Sequence, residues 1–260
     1  MSKPRVCVVS YLNTTPLVWG FVHGAQRDRY NLSFAIPSDC ADRLANGSAD
    51  IGIVPVVECE RQNLRIIPGA GIACNGPVRS ILLVSKVPFD RIESLACDVS
   101  SRTSVQLARV ILARRFNAEP RLVPARPDLF TMLERHDAAL IIGDPALAIE
   151  PTSLPWSSLD LGAEWKKMTG LPMVFALWAA RQELDPAAYA ADHFLASLTE
   201  GLAHLDDIVA AESRARGMSE QLVRHYLTHN VSFHIGSRES AGLDLFLRYV
   251  AELETREIPA

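Results

Sequence analysis

The sequence feature that most constrains the fold is a short apolar segment near the N-terminus that runs directly into a polar turn. Residues 6–9 have the composition of a buried strand, and the polar residues 10–17 follow at once. The two threonines of this run suit an N-cap and its proline suits the first helical position, which predicts a helix over residues 17–24. Ligands of α/β proteins bind beyond the carboxyl ends of strands. Asn13 is therefore a candidate ligand-binding residue, with a purely local capping turn as the alternative.

The composition predicts a globular protein with a small-molecule partner. The chain has 260 residues, 48% of them hydrophobic, and its formal net charge is −4. Its basic residues are spread out, so no surface for nucleic acid or an anionic membrane is expected. No apolar run has the length of a membrane helix or the context of a signal peptide. The five scattered cysteines form no C-x-x-C pair, which predicts buried thiols, no zinc site and a cytoplasmic location.

Strand-like and helical patterns alternate through the first two thirds of the chain, which predicts an α/β fold with mostly parallel sheets. Two apolar segments flanked by Gly and Pro, residues 79–85 and 172–178, stand on either side of a self-contained βαβαβ block. If both segments cross between lobes, residues 87–174 form a second lobe. The first lobe is then built from residues 1–86 and 175–260, including the C-terminal helices. Such an arrangement predicts a cleft between lobes, a preferred kind of site for small molecules.

A candidate anion site lies at the start of a helix predicted for residues 105–116. The preceding residues Ser101, Arg102, Thr103 and Ser104 offer three hydroxyls and a guanidinium, although one hydroxyl is enough for capping. A helix N-terminus has unpaired N–H groups and a partial positive charge, which favour a carboxylate or a phosphate. The sequence therefore predicts anion binding here, with capping alone as the alternative.

Two further segment ends carry candidate residues. Arg79 and Ser80 start one of the crossing segments, where Arg79 could clamp a carboxylate or pair with an acidic group of the protein itself. Asp144 follows a strand predicted for residues 138–142, where it could move a proton or orient a hydroxyl. The alternative for Asp144 is that it caps a helix beginning at Pro145.

Several common catalytic motifs are missing or incomplete. His225 and His229 are four residues apart, but no nearby acid completes a metal site, so an exposed or core-edge histidine face is expected. No G-x-G-x-x-G follows a strand, and neither a Walker loop nor a G-x-S-x-G elbow is present. Nicotinamide, nucleotide-hydrolysis and esterase chemistry are therefore disfavoured.

Six segments in order along the chain resemble the chorismate dehydratases of the futalosine route to menaquinone. They are residues 10–17, 49–55, 76–83, 101–104, 142–147 and 160–172. The resemblance implies a two-lobed, type II periplasmic-binding-protein-like α/β fold with a cleft between the lobes. It also implies a hydro-lyase that removes water from chorismate to give 3-[(1-carboxyvinyl)oxy]benzoate, with no metal or organic cofactor.

The same resemblance implies roles for individual residues. Asn13 matches the family's catalytic asparagine, and Asp144 is a second catalytic candidate as a general acid or base. An amide is a poor base, so we expect Asn13 to orient the substrate or the departing hydroxyl. The substrate's own enolpyruvyl carboxylate is then expected to take the proton. The expected substrate-binding residues are Tyr11, Arg79, Ser80, Ser101, Arg102, Thr103, Ser104, Thr169 and Gly170.

Three other functions are weighed against this one. A solute-binding protein shares the implied fold but is normally exported. The enzyme of the same fold and pathway that makes dihydroxynaphthoate has a different pattern at the end of the first strand. A regulatory effector-binding domain is usually attached to a DNA-binding segment. The run at residues 10–14 favours the dehydratase.

Overall fold

The structure is a computed structural model that describes residues 3–256, and these residues divide into two compact units. Unit 1 contains the described residues up to Ala73 together with Val174–Gly236. Unit 2 contains Cys74–Met173 together with the described residues from Ser237 onward. The predicted α/β class with two lobes is confirmed, since each unit has its own sheet and its own helices.

Strands and helices alternate along most of the chain. The strands are β1 (Arg5–Val9), β2 (Asn31–Ala35), β3 (Ile51–Pro55), β4 (Arg65–Cys74), β5 (Ile81–Ser85), β6 (Ser94–Asp98), β7 (Arg121–Ala125), β8 (Ala138–Ile142), β9 (Ser157–Asp160), β10 (Met173–Ala180) and β11 (Ser232–His234). The α-helices are α1 (Thr15–Val22), α2 (Pro37–Ala45), α3 (Val56–Arg61), α4 (Thr103–Ile111), α5 (Leu129–Arg135), α6 (Gly143–Leu147), α7 (Leu161–Thr169), α8 (Ala191–Ala203), α9 (Leu205–Arg216), α10 (Glu220–His225) and α11 (Ser237–Arg256). Among the described residues, none of these helices combines the length and the apolar character that crossing a membrane requires.

The sheet of unit 1 has the strand order β11-β4-β10-β3-β1-β2. β1 pairs in parallel with β2 and β3, whereas β10 pairs antiparallel with β3. β1 and β3 are buried along their whole length except at Arg5, as expected for apolar strands in the interior of a sheet. The carboxyl ends of β1, β2 and β3 therefore meet at one edge, where the chain enters the loop that carries Asn13.

The sheet of unit 2 has the strand order β7-β6-β8-β5-β9. β6 pairs in parallel with β7 and β8, and β5 pairs antiparallel with β8 and β9. The prediction of mostly parallel sheets is therefore wrong, because both sheets are mixed. Ile81 at the start of β5 lies opposite Ile142 at the end of β8. This register brings the residues just before β5 next to the carboxyl ends of β6 and β8.

The boundaries predicted for the two lobes differ from those in the structure. The segment at residues 79–85 does not cross between units, since β5 pairs on both sides within the sheet of unit 2. The chain instead changes unit after Ala73, after Met173 and after Gly236. α11 belongs to unit 2, where the ring of Phe246 packs against that of Trp165 at a centroid distance of 5.9 Å. Unit 2 is therefore completed by the C-terminal helix.

The close packing of α1 against α8 fixes the start of α1 within unit 1. A Cβ placed on Gly201 of α8 would lie only 2.1 Å from the carbonyl oxygen of Pro16. The two helices are therefore so close at this point that only a glycine fits. The hydroxyl of Ser197 donates to the carbonyl of Leu17 at 2.9 Å. These contacts hold the first turn of α1, and with it the preceding loop, against a rigid partner.

Candidate active site

Asn13 lies at the carboxyl end of β1, in the loop of residues 10–14 that leads into α1 (the β1–α1 loop). Its Nδ2 donates a hydrogen bond of 3.0 Å to the hydroxyl of Tyr226. Thr14 occupies the N-cap position of α1, as predicted, but its hydroxyl donates back to the carbonyls of Val9 and Tyr11 and makes no capping bond to the helix. α1 consequently begins at Thr15, earlier than expected. The half-buried Asn13 is therefore held by a well-anchored backbone.

Helix α9 secures the β1–α1 loop from a second side within unit 1. Arg216 donates to the carbonyl of Ser10 at 3.3 Å and forms an ion pair of 3.2 Å with Glu212. The hydroxyl of Thr15 donates to Glu212 at 3.3 Å. Sequence reasoning missed Glu212, Arg216 and the tyrosine that binds Asn13. Each lies about two hundred residues from the loop, and no local pattern marks it.

A second cluster of polar groups lies in unit 2 at the carboxyl ends of β6 and β8. Asp98 is only 1% exposed, and its carboxylate accepts hydrogen bonds from the backbone N–H and the hydroxyl of Ser100, at 2.9 and 2.7 Å. The same carboxylate accepts from the backbone N–H of Ile142 at 3.3 Å. Burial raises the pKa of Asp98, and these hydrogen bonds oppose that shift. Asp98 thereby joins the two loops that carry the candidate residues of this unit.

The start of α4 (residues 101–104) combines three buried hydroxyl residues with a helix N-terminus. Ser101, Thr103 and Ser104 are each at most 9% exposed. The helix begins at Thr103, two residues earlier than expected, so two of the hydroxyls belong to its first turn. Arg102 occupies the N-cap position, and arginine has no acceptor with which to cap the first-turn N–H groups. Anion binding at the start of α4 stays a prediction.

Arg79 is placed differently from the prediction. Its φ of +66° breaks the strand alternation on which a cleft-facing side chain was expected. The guanidinium donates to the carbonyls of Ala146 in α6 and Ile149 just after that helix, at 3.2 and 2.5 Å. Arg79 also forms an ion pair of 3.8 Å with Glu150, which is the alternative in which it pairs with an acidic group of the protein itself. Ser80 is 2% exposed, and its carbonyl accepts from the N–H of Gly143 at 2.8 Å.

Asp144 lies in the first turn of α6 and not at its N-cap. α6 begins at Gly143, whose φ of +66° turns the chain out of β8, and Ile142 occupies the N-cap position. The alternative in which Asp144 caps a helix starting at Pro145 is therefore wrong. The N–H of Gly143 binds the carbonyl of Ser80, and the N–H of Ile142 binds the carboxylate of Asp98. The half-buried Asp144 therefore lies next to the point where the end of β8 meets the end of β6 and the start of β5.

Thr169 and Gly170 end α7, and this local role accounts for both residues. The hydroxyl of Thr169 donates to the carbonyl of Trp165 at 2.9 Å and accepts from the N–H of Leu171 at 3.1 Å. Gly170 has a φ of +72°, the left-handed conformation that glycine favours after the last turn of a helix. The contact of these two residues with substrate stays a prediction.

The histidine and cysteine side chains do not assemble into a metal centre within the described residues. His225 and His229 are exposed, as predicted, and their rings stack at a centroid distance of 4.6 Å. The five cysteines are buried free thiols. Within residues 3–256, no group of three or more His, Cys, Asp or Glu residues is arranged to hold a metal ion.

The two α/β units define the periplasmic-binding-protein fold class. Protein AF1704 from Archaeoglobus fulgidus superposes with a TM-score of 0.75 at 18% identity, over 97% of this chain and 98% of that one. The periplasmic aliphatic sulphonate binding protein SsuA from Escherichia coli superposes with a TM-score of 0.65 at 16% identity, over 100% of this chain and 89% of that one. At these identities the likeness establishes the fold alone.

Residues 4–252 match the family described as "Menaquinone biosynthesis", and the chain belongs to that family. It is 28% identical to a chorismate dehydratase of Thermus thermophilus, over 91% of each chain. It is 25% identical to a chorismate dehydratase of Campylobacter jejuni, over 92% of this chain and 89% of that one.

Proposed function

We propose that this protein is a chorismate dehydratase, a hydro-lyase that forms 3-[(1-carboxyvinyl)oxy]benzoate for menaquinone synthesis through futalosine. The observation that carries the proposal is the match of residues 4–252 to the menaquinone-biosynthesis family, together with full-length similarity to two chorismate dehydratases. As part of this proposal the protein acts in the cytoplasm on a small dicarboxylate. The elimination involves no net oxidation or reduction and gives an aromatic ring, so the proposal includes no metal or organic cofactor.

The reaction makes three demands on the protein. Chorismate is a dianion, so its carboxylates must be held. A weakly acidic proton must leave the ring carbon that bears the enol ether, and the C–H electrons form the new ring double bond. The adjacent C–O bond breaks at the same time or later, and the departing hydroxide takes up a proton to become water. The aromatic product makes the overall elimination strongly downhill.

The start of α4 is suited to hold one carboxylate. Ser101, Thr103 and Ser104 are hydroxyl residues at or just before the first turn of the helix, where the N–H groups have no acceptor within the helix. A hydrogen bond to a charged group contributes about 1.5 to 3 kcal/mol, and the helix dipole adds about 0.3 to 1 kcal/mol. Ser80 is the remaining candidate for the other carboxylate, because the guanidinium of Arg79 is already engaged with main-chain carbonyls.

Asn13 is suited to orient the departing hydroxyl. One Nδ2 hydrogen is directed to Tyr226, and the amide has a second N–H and a carbonyl oxygen for the substrate. Since an amide is a poor base, we assign the proton transfer to the enolpyruvyl carboxylate of the substrate itself. Asp144 is the alternative proton acceptor on the protein side, as its carboxyl group is half-buried in the first turn of α6.

The direct test is incubation of the purified, chelator-treated protein with chorismate, followed by chromatography and mass spectrometry. We expect chorismate to disappear and a product lighter by one water, with an aromatic absorbance, to appear. Tight binding of chorismate without turnover would instead indicate a solute-binding protein. Absence of both binding and turnover would show that chorismate is not the ligand.

The proposed carboxylate site predicts the behaviour of Ser101→Ala. Losing one hydrogen bond to a charged group should raise the KM for chorismate about tenfold and leave kcat within about twofold. Initial rates over a range of chorismate concentrations measure both constants. Ser157→Ala is the matched control, because Ser157 is exposed on β9 and should leave both constants unchanged. Equal KM values for the two variants would remove Ser101 from the site.

A further inference from the structure

We propose that Tyr226 is a positioning residue for the amide of Asn13, and that the π-helical turn Tyr226–Asn230 serves to place its hydroxyl there. This inference rests on the proposed function and extends it to a residue outside the six segments that resemble the family. Tyr226 acts through Asn13, and no contact with substrate is assigned to it.

The contact itself restricts the amide strongly. The torsion that orients an asparagine amide is broad, so an unrestrained Asn13 would sample many orientations. The bond of 3.0 Å from Nδ2 to the Tyr226 hydroxyl selects one of them. Because the amide is planar, fixing one N–H also fixes the directions of the second N–H and of the carbonyl oxygen. Both remaining groups are then held ready for a ligand.

The burial of Tyr226 makes the anchor rigid. The side chain is only 1% exposed and therefore cannot move away from the β1–α1 loop without opening the core of unit 1. A phenylalanine would fill the same space, whereas a buried hydroxyl is unfavourable unless it has a hydrogen-bond partner. The amide of Asn13, 213 residues away in sequence, supplies a hydrogen-bond partner to the oxygen of this hydroxyl.

The backbone around Tyr226 gives an independent indication. α10 is followed directly by a π-helical turn over Tyr226–Asn230, closed by the N–H of Val231 donating to the carbonyl of Tyr226 at 3.2 Å. π-Helical turns are rare and occur frequently at functional sites. In this turn the unusual backbone begins at the residue that contacts Asn13.

The test compares Tyr226→Phe with Tyr30→Phe. Tyr30 is also a buried tyrosine of unit 1, and its hydroxyl lies 2.8 Å from Nδ1 of His193. Both variants lose one buried hydroxyl, and both should lower the melting temperature modestly. We expect only Tyr226→Phe to reduce kcat. The loss should be about 10- to 100-fold, as for a catalytic group that is displaced from its position, and KM should stay within about twofold of the wild-type value. Tyr30→Phe should retain the wild-type kcat.

A double-mutant cycle shows whether the effect passes through Asn13. In an Asn13→Ala background the further change Tyr226→Phe should leave kcat unchanged, because no amide remains to be positioned. The same fractional loss of kcat in both backgrounds would overturn the inference. So would a Tyr226→Phe variant whose kcat equals that of an active wild-type enzyme. A wild-type chain that does not convert chorismate would overturn the proposed function first, and the inference with it.

A measurement on the wild-type chain does not depend on how well the variants fold. The side-chain NH₂ resonances of Asn13 can be assigned by NMR from their loss in Asn13→Asp. We expect one of these hydrogens to exchange slowly with solvent, because it is bonded to a buried hydroxyl. Rapid exchange of both hydrogens would overturn the inference.

Discussion

Replacing Asn13 by aspartate should lower the kcat for chorismate dehydration by at least about 10²- to 10³-fold, the loss typical of removing one donor at a site of developing charge. An aspartate has no N–H to offer to the departing hydroxyl, and it cannot donate to the hydroxyl of Tyr226 as Nδ2 does. It also brings a negative charge close to a substrate that is itself a dianion. Product formation at saturating chorismate measures the effect.

Asn46→Asp is the matched control for this substitution. Asn46 is exposed at the end of α2, and its Oδ1 accepts from the N–H of Ser48 at 2.9 Å, a bond that a carboxylate preserves. The control should retain the wild-type kcat. Full activity of Asn13→Asp, with an unchanged KM, would show that the amide is not needed. Proton transfer by Asp144 would then become the mechanism to test.

The part of the site that could be predicted from sequence is the part determined by local structure. β1 and the turn after it follow from a short apolar run and the polar residues next to it, so Asn13 was placed correctly at a strand end. The start of α4 was recognised for the same reason, within two residues. Tyr226 could not be found in this way, because its contact with Asn13 spans 213 residues.

The errors have physical causes of two kinds. Regular alternation predicts that Arg79 faces a ligand, but its backbone has a positive φ and its side chain binds carbonyls at the C-terminal end of α6. The C-terminal helix was assigned to the wrong unit because periodicity shows that a helix has a buried face without showing what covers it. Contacts such as that of Phe246 with Trp165 decide the question.

Replacing Trp165 by alanine should lower the free energy of unfolding of unit 2 by about 3 to 5 kcal/mol, the usual loss for a buried tryptophan. Trp165 is fully buried, and its ring meets those of Phe246 and Tyr249 edge to face. Its Nε1 also donates to the carbonyl of Pro172 at 3.0 Å. The substitution therefore leaves a cavity under α11 and an unpaired carbonyl. Urea unfolding followed by circular dichroism measures the loss.

The same substitution tests whether α11 depends on the core of unit 2. Amide hydrogen exchange of Ser237–Arg256 should accelerate in Trp165→Ala, because the helix loses the ring against which it packs. Trp156→Ala is the control, since Trp156 is half-buried and packs on Phe130, which is 62% exposed. It should cost about 1 kcal/mol and leave the exchange of α11 unchanged. Equal exchange of α11 in both variants would show that contacts other than Trp165 hold the helix.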